Sequence, residues 1–360
     1  MKFSKIVLFC LVLNFALLFL RDSTAASPGT ITIGHVIDLS GPNGAIGRDY
    51  VTGLRTSFDA MNSAGGINGK RVQYLVMDDG GDSAKTPKLV TDLIERNKVD
   101  MLVGGIGDDA VWATLEAPAF KRSKLTVLAP LADIIHPRVT HWRPSTLQEV
   151  RYLLGYFEKL GIKQVGIAYQ QSHLPVNALN ELTSEIKRRG ISVSGTVRLD
   201  ADNAVTRLEA QKLAAAKPGF VVMIADTINS AVFVKAFRAA DAKTFIAGTS
   251  LVDLSTLREI AGIGAVEWTV FSQVVPNPLG AKTPVQIEHA TMMKKFRDEA
   301  LSSMTLEGYL VGKTLAKTVF SGALRTVDLG GLVIQSDAAA SSQSAYIDIA
   351  LFKKGVGLIF

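Results

Sequence analysis

The side chains best suited to chemistry in this chain are carboxylates placed at turns. Asp78 and Asp79 end one apolar run, Asp108 and Asp109 follow Gly104–Gly107, Asp133 closes a loop after Pro130, and Asp226 ends another apolar run. A pair such as Asp78-Asp79 could do acid–base work. Neighbours on a strand point to opposite faces, however, which favours a turn and helix-cap role. His136 and His141 flank Pro137 near Asp133. A metal site needs a rigid two-histidine face and a third ligand, and a loop offers no such spacing. The run Gly41-Pro42-Asn43-Gly44-Ala45-Ile46-Gly47 lacks the G-x-G-x-x-G spacing, no G-x-x-x-x-G-K-[ST] is present, and no G-x-S-x-G nucleophile motif occurs. The expectation is no catalytic residue, no metal and no cofactor. The loop before residue 47 reads equally as a tight strand-to-helix turn or as a helix end that receives an anion or dipole.

The elements that position these residues alternate. A β-branched run over residues 31–37 reads as a strand, broken at Leu39-Ser40-Gly41-Pro42. Ile46, Val51, Leu54, Phe58 and Met61 then fall on or near one helical face. Residues 62–69, with Gly65, Gly66 and Gly69, stop that helix, and 72–76 forms a second strand. This β-α-β unit places a Gly-rich loop at the carboxyl end of its first strand, where open α/β sheets bind ligands. Helices over 84–97 and 110–121 and strands over 99–103 and 125–128 continue the pattern. Residues 139–144 read as irregular, a crossing to a second alternating set that runs to Val275. A second crossing follows at Val275–Gly280, then helices over 285–301 and 306–320 and strands over 332–334 and 345–352. Short connections between alternating strands and helices argue for parallel sheets covered on both faces. Trp112, on the helix after Asp109, reads as a core residue.

With 360 residues the chain suits two domains at about 150 residues each. Residues 1–25 differ from the rest: Lys2 and Lys5 precede an apolar run over 6–20, and Ser23-Thr24-Ala25 supplies small residues for cleavage, the pattern of a secretory signal peptide. Cys10, the only cysteine, lies inside that run, so disulfides, thiolate catalysis and Cys-containing zinc sites are not expected beyond it. Net charge is +6 overall; setting aside Lys2, Lys5, Arg21 and Asp22 leaves 36 basic and 32 acidic residues, or +4. The longest basic run, Lys187-Arg188-Arg189, has no aromatic ladder, so a nucleic-acid surface is not indicated.

Four stretches carry a family likeness: Leu39-Ser40-Gly41-Pro42 with Gly47; Asn62-Ser63-Ala64-Gly65-Gly66-Ile67-Asn68-Gly69-Lys70; Asp78-Asp79; and Glu307-Gly308-Tyr309 with Asp328-Leu329-Gly330-Gly331 and Tyr346-Ile347-Asp348. The chain resembles the type I periplasmic binding proteins, in particular the branched-chain amino acid (Leu/Ile/Val) group of ABC-transporter substrate-binding proteins. It departs from them between Phe320 and Asp328, where the family has a longer, helix-bearing segment. The resemblance implies an α/β fold of two doubly wound Rossmann-like lobes joined by three hinge crossings, near Arg143-Pro144, Val275-Pro276 and Val327-Asp328. Lobe 1 would comprise residues 26–143 and 276–327, and lobe 2 residues 144–275 and 328–360. Ligand would be held between them by Leu39, Ser40, Gly107, Asp108, Asp109, Leu131, Ala132, Asp133, Tyr169, His173, Asp226 and Ser250. Asp108 and Asp133 stand where the family commonly places Ser or Thr against a ligand carboxylate, Leu174 where a Tyr is often found, and Ser250 where an acidic partner for the ligand ammonium is found. Carboxylates at 108 and 133 would repel an α-carboxylate, so an ordinary branched-chain amino acid is not the expected ligand; Asp108 as a plain helix cap is the alternative. The implied role is a monomeric, extracytoplasmic protein that traps a small polar molecule and delivers it to an ABC-transporter permease. A sensory module docking on a membrane receptor is a second reading, and an α/β enzyme a third.

Overall fold

The computed structural model describes residues 29–318, 326–335, 343–353 and 357–359. The expected signal peptide with Cys10, and most of the short segment between Phe320 and Asp328, lie outside the described residues. The β-branched run of β1 (Thr30–Ile37) buries nearly every residue, because it lies between two parallel neighbours, β2 (Arg71–Asp78) and β3 (Met101–Val103). With β4 (Val127–Leu128) and β5 (Val139–Thr140) they form an all-parallel sheet ordered β2-β1-β3-β4-β5. The helices between are α1 (Gly44–Ser63), α2 (Thr86–Thr91) running into a π-turn over Asp92–Arg96, α3 (Asp108–Glu116) and α4 (Pro118–Arg122). The sequence suggested one helix over 110–121. It is two, because Ala117 is held at ψ 128° ahead of Pro118, a position from which proline excludes the helical conformation. Residues 139–140, expected to be irregular, add the edge strand β5.

The second sheet contains β6 (Gln164–Gln170), β7 (Ser192–Leu199), β8 (Phe220–Ile224), β9 (Phe245–Gly248) and β10 (Thr269–Gln273), mutually parallel. Helices α5 (Thr146–Lys159), α6 (Val176–Arg188), α7 (Asn203–Ala215), α8 (Thr227–Ala240) and α9 (Leu254–Ala261) alternate with them. After α10 (Pro284–Phe296), α11 (Ser303–Thr318) and the hairpin β11 (Thr326–Asp328) and β12 (Val333–Gln335), the chain ends in β13 (Asp348–Lys353) and β14 (Gly357–Ile359). β13 joins the second sheet antiparallel to β10, and β14 pairs antiparallel with β13 at its edge. The result is the two-lobed α/β architecture that the alternation suggested.

The third crossing falls later than expected. Val327, Leu329, Leu332 and Ile334 are buried in the first core, with Ile33, Tyr50, Leu54 and Phe58. Apolar residues on both sides of Asp328 hold the chain to lobe 1 through β12, so residues 328–335 do not start lobe 2. The return to the second sheet comes at β13.

Two local devices explain family-marking sequence. Asn68 and Gly69 both have positive φ, and Ile67 and Lys70 exchange backbone hydrogen bonds of 2.8 and 2.9 Å. This is the tight hairpin turn that Asn-Gly favours. Asn62 clamps the same unit by bonding both backbone groups of Val72. Gly308 lets α11 lie directly on α1: a Cβ there would stand 2.2 Å from the Tyr50 carbonyl oxygen. We expect Gly308→Ala to lower unfolding free energy by about 1–3 kcal/mol through overpacking. Gly155→Ala in α5, where the nearest neighbour is 3.7 Å away, should raise it by up to about 1 kcal/mol from helix propensity. Urea denaturation of both variants checks the contrast.

Candidate functional site

Trp142 is buried in the first core and its indole donates to Thr314 Oγ1 at 2.9 Å, whereas Val150, in the first turns of α5, belongs to a second-lobe core. Between them the chain crosses, and Arg143 is buried there with only 4% exposure. Its guanidinium lies 3.1 Å from Glu149 of α5 and 3.5 Å from Glu307 of α11. It also donates to Ser250 Oγ. Glu149 in turn accepts from the Ser250 amide at 2.8 Å and the Ser272 hydroxyl at 2.6 Å. One cation thus joins a carboxylate from each lobe. Burial works against the charged guanidinium, but Glu307 and Glu149 outweigh it and hold Arg143 above its ordinary value. Burial pushes Glu307 up to about 7, Arg143 opposing and Glu149 reinforcing the shift.

Two cavities open between the lobes on either side of this cluster. One, of about 470 Å³, is lined by Asp108, Asp133 and Ile135 from lobe 1 and by Leu174, Asn177 and Glu181 from lobe 2. The other, of about 610 Å³, is lined by Arg48, Asp49 and Ser302 from lobe 1 and by Ser250, Asp253 and Ser255 from lobe 2. Arg143 lines the first and Ser250 the second, so their hydrogen bond stands between the two spaces.

The sequence-predicted residues distribute unevenly. Asp108, Asp133 and His173 meet around the smaller cavity, and Ser250 lines the larger one. Asp108 opens α3 and accepts the Asp133 amide at 2.8 Å. Asp133 accepts the Thr146 amide at the start of α5 at 3.0 and 3.1 Å, a lobe-1 carboxylate on a lobe-2 helix terminus, as the helix dipole favours. Burial raises Asp108, the Asp133 amide offsets it in part, and the charges of Asp133 and Asp109 add to the rise. Burial lowers His173, against the pull of Asp226, Asp133 and Asp109. Asp226 caps α8, accepting the Asn229 amide at 2.8 Å and its side-chain amide at 3.0 Å. Leu39 donates its amide to Asp78 at 2.9 Å, and the Ser40 hydroxyl, with the Leu39 and Gly80 amides, lowers the Asp78 carboxyl. Gly107 precedes α3 at φ 85° and donates to the Leu131 carbonyl. Leu131 and Ala132 are buried, Asp109 is exposed, and Tyr169 packs against the second-lobe core.

Both loop histidines engage backbone: His141 Nε2 lies 2.7 Å from the Ile134 carbonyl, and His136 Nδ1 accepts from the Arg138 amide. Trp112, expected in the core, is 47% exposed and meets His136 edge-on at 6.1 Å, because its helix turns Val111 and Leu115 inward instead. Sequence reasoning placed a crossing near Arg143-Pro144 but missed the buried cluster that Arg143 forms there with Glu149 and Glu307. Glu149 reads as one polar residue of an amphipathic helix, and only its contact with Ser250 and Ser272 marks it out.

Two lobes, a hinge and cavities lined from both sides define a cleft-type binding protein. Residues 30–328 match the Periplasmic binding protein family, and the chain belongs to it. It is similar in structure to a possible leucine/isoleucine/valine-binding protein from Rhodopirellula baltica, with TM-score 0.80 and 20% identity, covering 92% of this chain and 96% of that one. A fatty acid ABC transporter substrate-binding protein from Thermomonospora curvata aligns with TM-score 0.79 and 18% identity, over 92% and 91% of the two chains. Among curated proteins it is 26% identical over 217 residues to Glutamate receptor 1.1 of Arabidopsis thaliana, a match covering 56% of this chain and 26% of that relative's length.

The buried cluster makes two measurable demands. Arg143→Ala leaves Glu149 and Glu307 facing each other without a cation and should cost about 3–5 kcal/mol of stability, read by denaturant titration. Glu307 binds its proton more readily folded, at about 7, than at its ordinary 4.5. Its contribution to stability is therefore complete below about 4.5 and is lost as pH rises through about 7. Melting temperature should fall between pH 5 and 8 in the natural protein, and Glu307→Gln should flatten that slope.

Proposed function

We propose that this protein is an extracytoplasmic solute-binding protein that traps a small polar molecule, amino-acid-like, amide or cationic, between its lobes and delivers it to an ABC-transporter permease. The observation that carries the reading is the pair of cavities lined from both lobes beside a single buried hinge cluster. A ligand touching both walls favours the closed arrangement by its differential affinity, which is how such hinges work. Family membership and the ABC-transporter role of a structural neighbour support the same reading. The moving bodies would be residues 29–142 with 274–335, and 145–273 with 348–359. The leader over residues 1–25 would direct the chain to the periplasm, where it would act as a monomer and without chemistry. Among the candidate contacts, Asp108, Asp133, His173 and Ser250 line one or other of these two cavities.

A sensory module that docks on a membrane receptor is a second reading, favoured by the similarity to part of a plant glutamate receptor. Co-purification with a permease rather than a receptor separates the two. The primary test is mass spectrometry of small molecules released on denaturing freshly purified protein. We expect one species at near-stoichiometric amount, and its re-addition should compact the protein in small-angle X-ray scattering. Leucine and valine should show no micromolar binding by isothermal titration; if they bind that tightly, the carboxylate argument at Asp108 and Asp133 is wrong.

A further inference from the structure

The smaller cavity has a charge imbalance and an apolar wall, and together these narrow what it can hold. Two arginines line it, Arg143 and Arg151. Each is already held by two carboxylates: Arg143 by Glu149 and Glu307, Arg151 by Glu181 and Glu185. Asp108 and Asp133 stand outside those ion pairs and accept backbone amides instead. Glu185 is shared with Arg189, so the four glutamates are all paired, both lining guanidiniums are engaged, and Asp108 and Asp133 are the lining carboxylates that face no cation in an ion pair. A ligand carboxylate entering this space meets like charge and gains no free cation, at a site where partial burial strengthens the repulsion. A ligand cation meets the reverse.

The same cavity also has apolar lining. Ile135 stands at its rim with 96% of its surface exposed, and Leu147, Leu174, Pro175 and Ala178 continue the wall. A fully exposed isoleucine next to a cavity has no partner within the fold, and apolar lining with a few placed polar groups is the usual make-up of a small-molecule cleft of roughly 300–1,000 Å³. The polar groups on lobe 2, Asn177 and Gln148, are amides that hydrogen-bond a ligand without adding charge.

We propose that the smaller cavity receives an amphipathic organic cation, a protonated amine with a compact branched or aromatic body, its ammonium facing Asp108 and its apolar body facing Ile135 and Leu174. This rests on the reading of the protein as a solute binder and selects one ligand class within it. Burial already raises the Asp108 carboxyl, and Asp133 and Asp109 add to that. An ammonium at this point would relieve the strain on the carboxylate and bring its proton affinity back down.

Isothermal titration at pH 7.5 with four probes tests it: phenethylamine, isoamylamine, their zwitterionic analogues phenylalanine and leucine. 4-Methylpentanoate serves as the matching anion. The amines should bind, and the zwitterions and the anion should bind at least about tenfold more weakly. Asp108→Asn keeps an oxygen for the Asp133 amide and removes only the charge. It should leave the melting temperature within a few degrees and weaken amine binding by at least about tenfold. Ile135→Ser changes a solvent-exposed residue, so the fold is retained; the loss should be severalfold, in keeping with about fourfold per methylene buried. If a zwitterion, an anion or a polyol is the species released from the purified protein and binds the cleft while the amines do not, the solute-binding reading stands and this inference is overturned. If no small molecule is released and none of any class binds, both fall together.

Discussion

One guanidinium decides how the two halves of this molecule relate. Arg143 sits at the first crossing, almost wholly buried, between a carboxylate from each lobe. Desolvating three charged groups is costly, and the attraction among them offsets that cost only in good geometry with the remaining hydrogen bonds filled. Ser250 and Ser272 supply those bonds. The arrangement therefore tolerates little displacement near the crossing. It also divides the cleft, since the Arg143–Ser250 contact separates the cavity holding Asp108 and Asp133 from the one holding Asp49 and Asp253.

That division bears on specificity. The fold is shared with solute-binding proteins at about 20% identity, so it says little about what is bound. Asp108 and Asp133 are engaged with backbone amides across and within the lobes, and the serine at 250 is engaged with the hinge arginine. Groups that read as ligand contacts from position alone also hold the cleft's own framework together. Asp226 and the loop at Leu39 and Ser40 go further in the same direction: their polar groups serve a helix cap and the carboxylate of Asp78.

The architecture was legible because burial on both faces leaves runs rich in β-branched residues, and β1 and β8 carry them. Helices α1 and α5 were legible from their apolar spacing. Short elements were not. Two residues of β5 have too little pattern to register, and the break before α4 depends on one proline. The third crossing was set at Val327-Asp328 by the resemblance, and nothing local in the sequence reveals that Leu329 and Leu332 fill the first core. The candidate site was half legible. Carboxylates at strand ends were visible, but whether each faces a cavity or caps a helix is set by neighbours far away in sequence. The Arg143 cluster, drawn from positions 143, 149, 250, 272 and 307, could not have been assembled from spacing.

The close fit of α11 on α1 has a consequence for how the protein comes into being. Leu306, Leu310 and Val311 complete a core begun by Ile33, Tyr50 and Leu54, and some 250 residues, including the whole of the second sheet's parallel part, lie between. Contacts so remote in sequence close late, after a large loss of chain entropy. The first lobe cannot finish until nearly the entire chain has been made, while the second has its parallel strands in one continuous stretch. A nascent chain of this design keeps its first lobe incomplete for most of its synthesis.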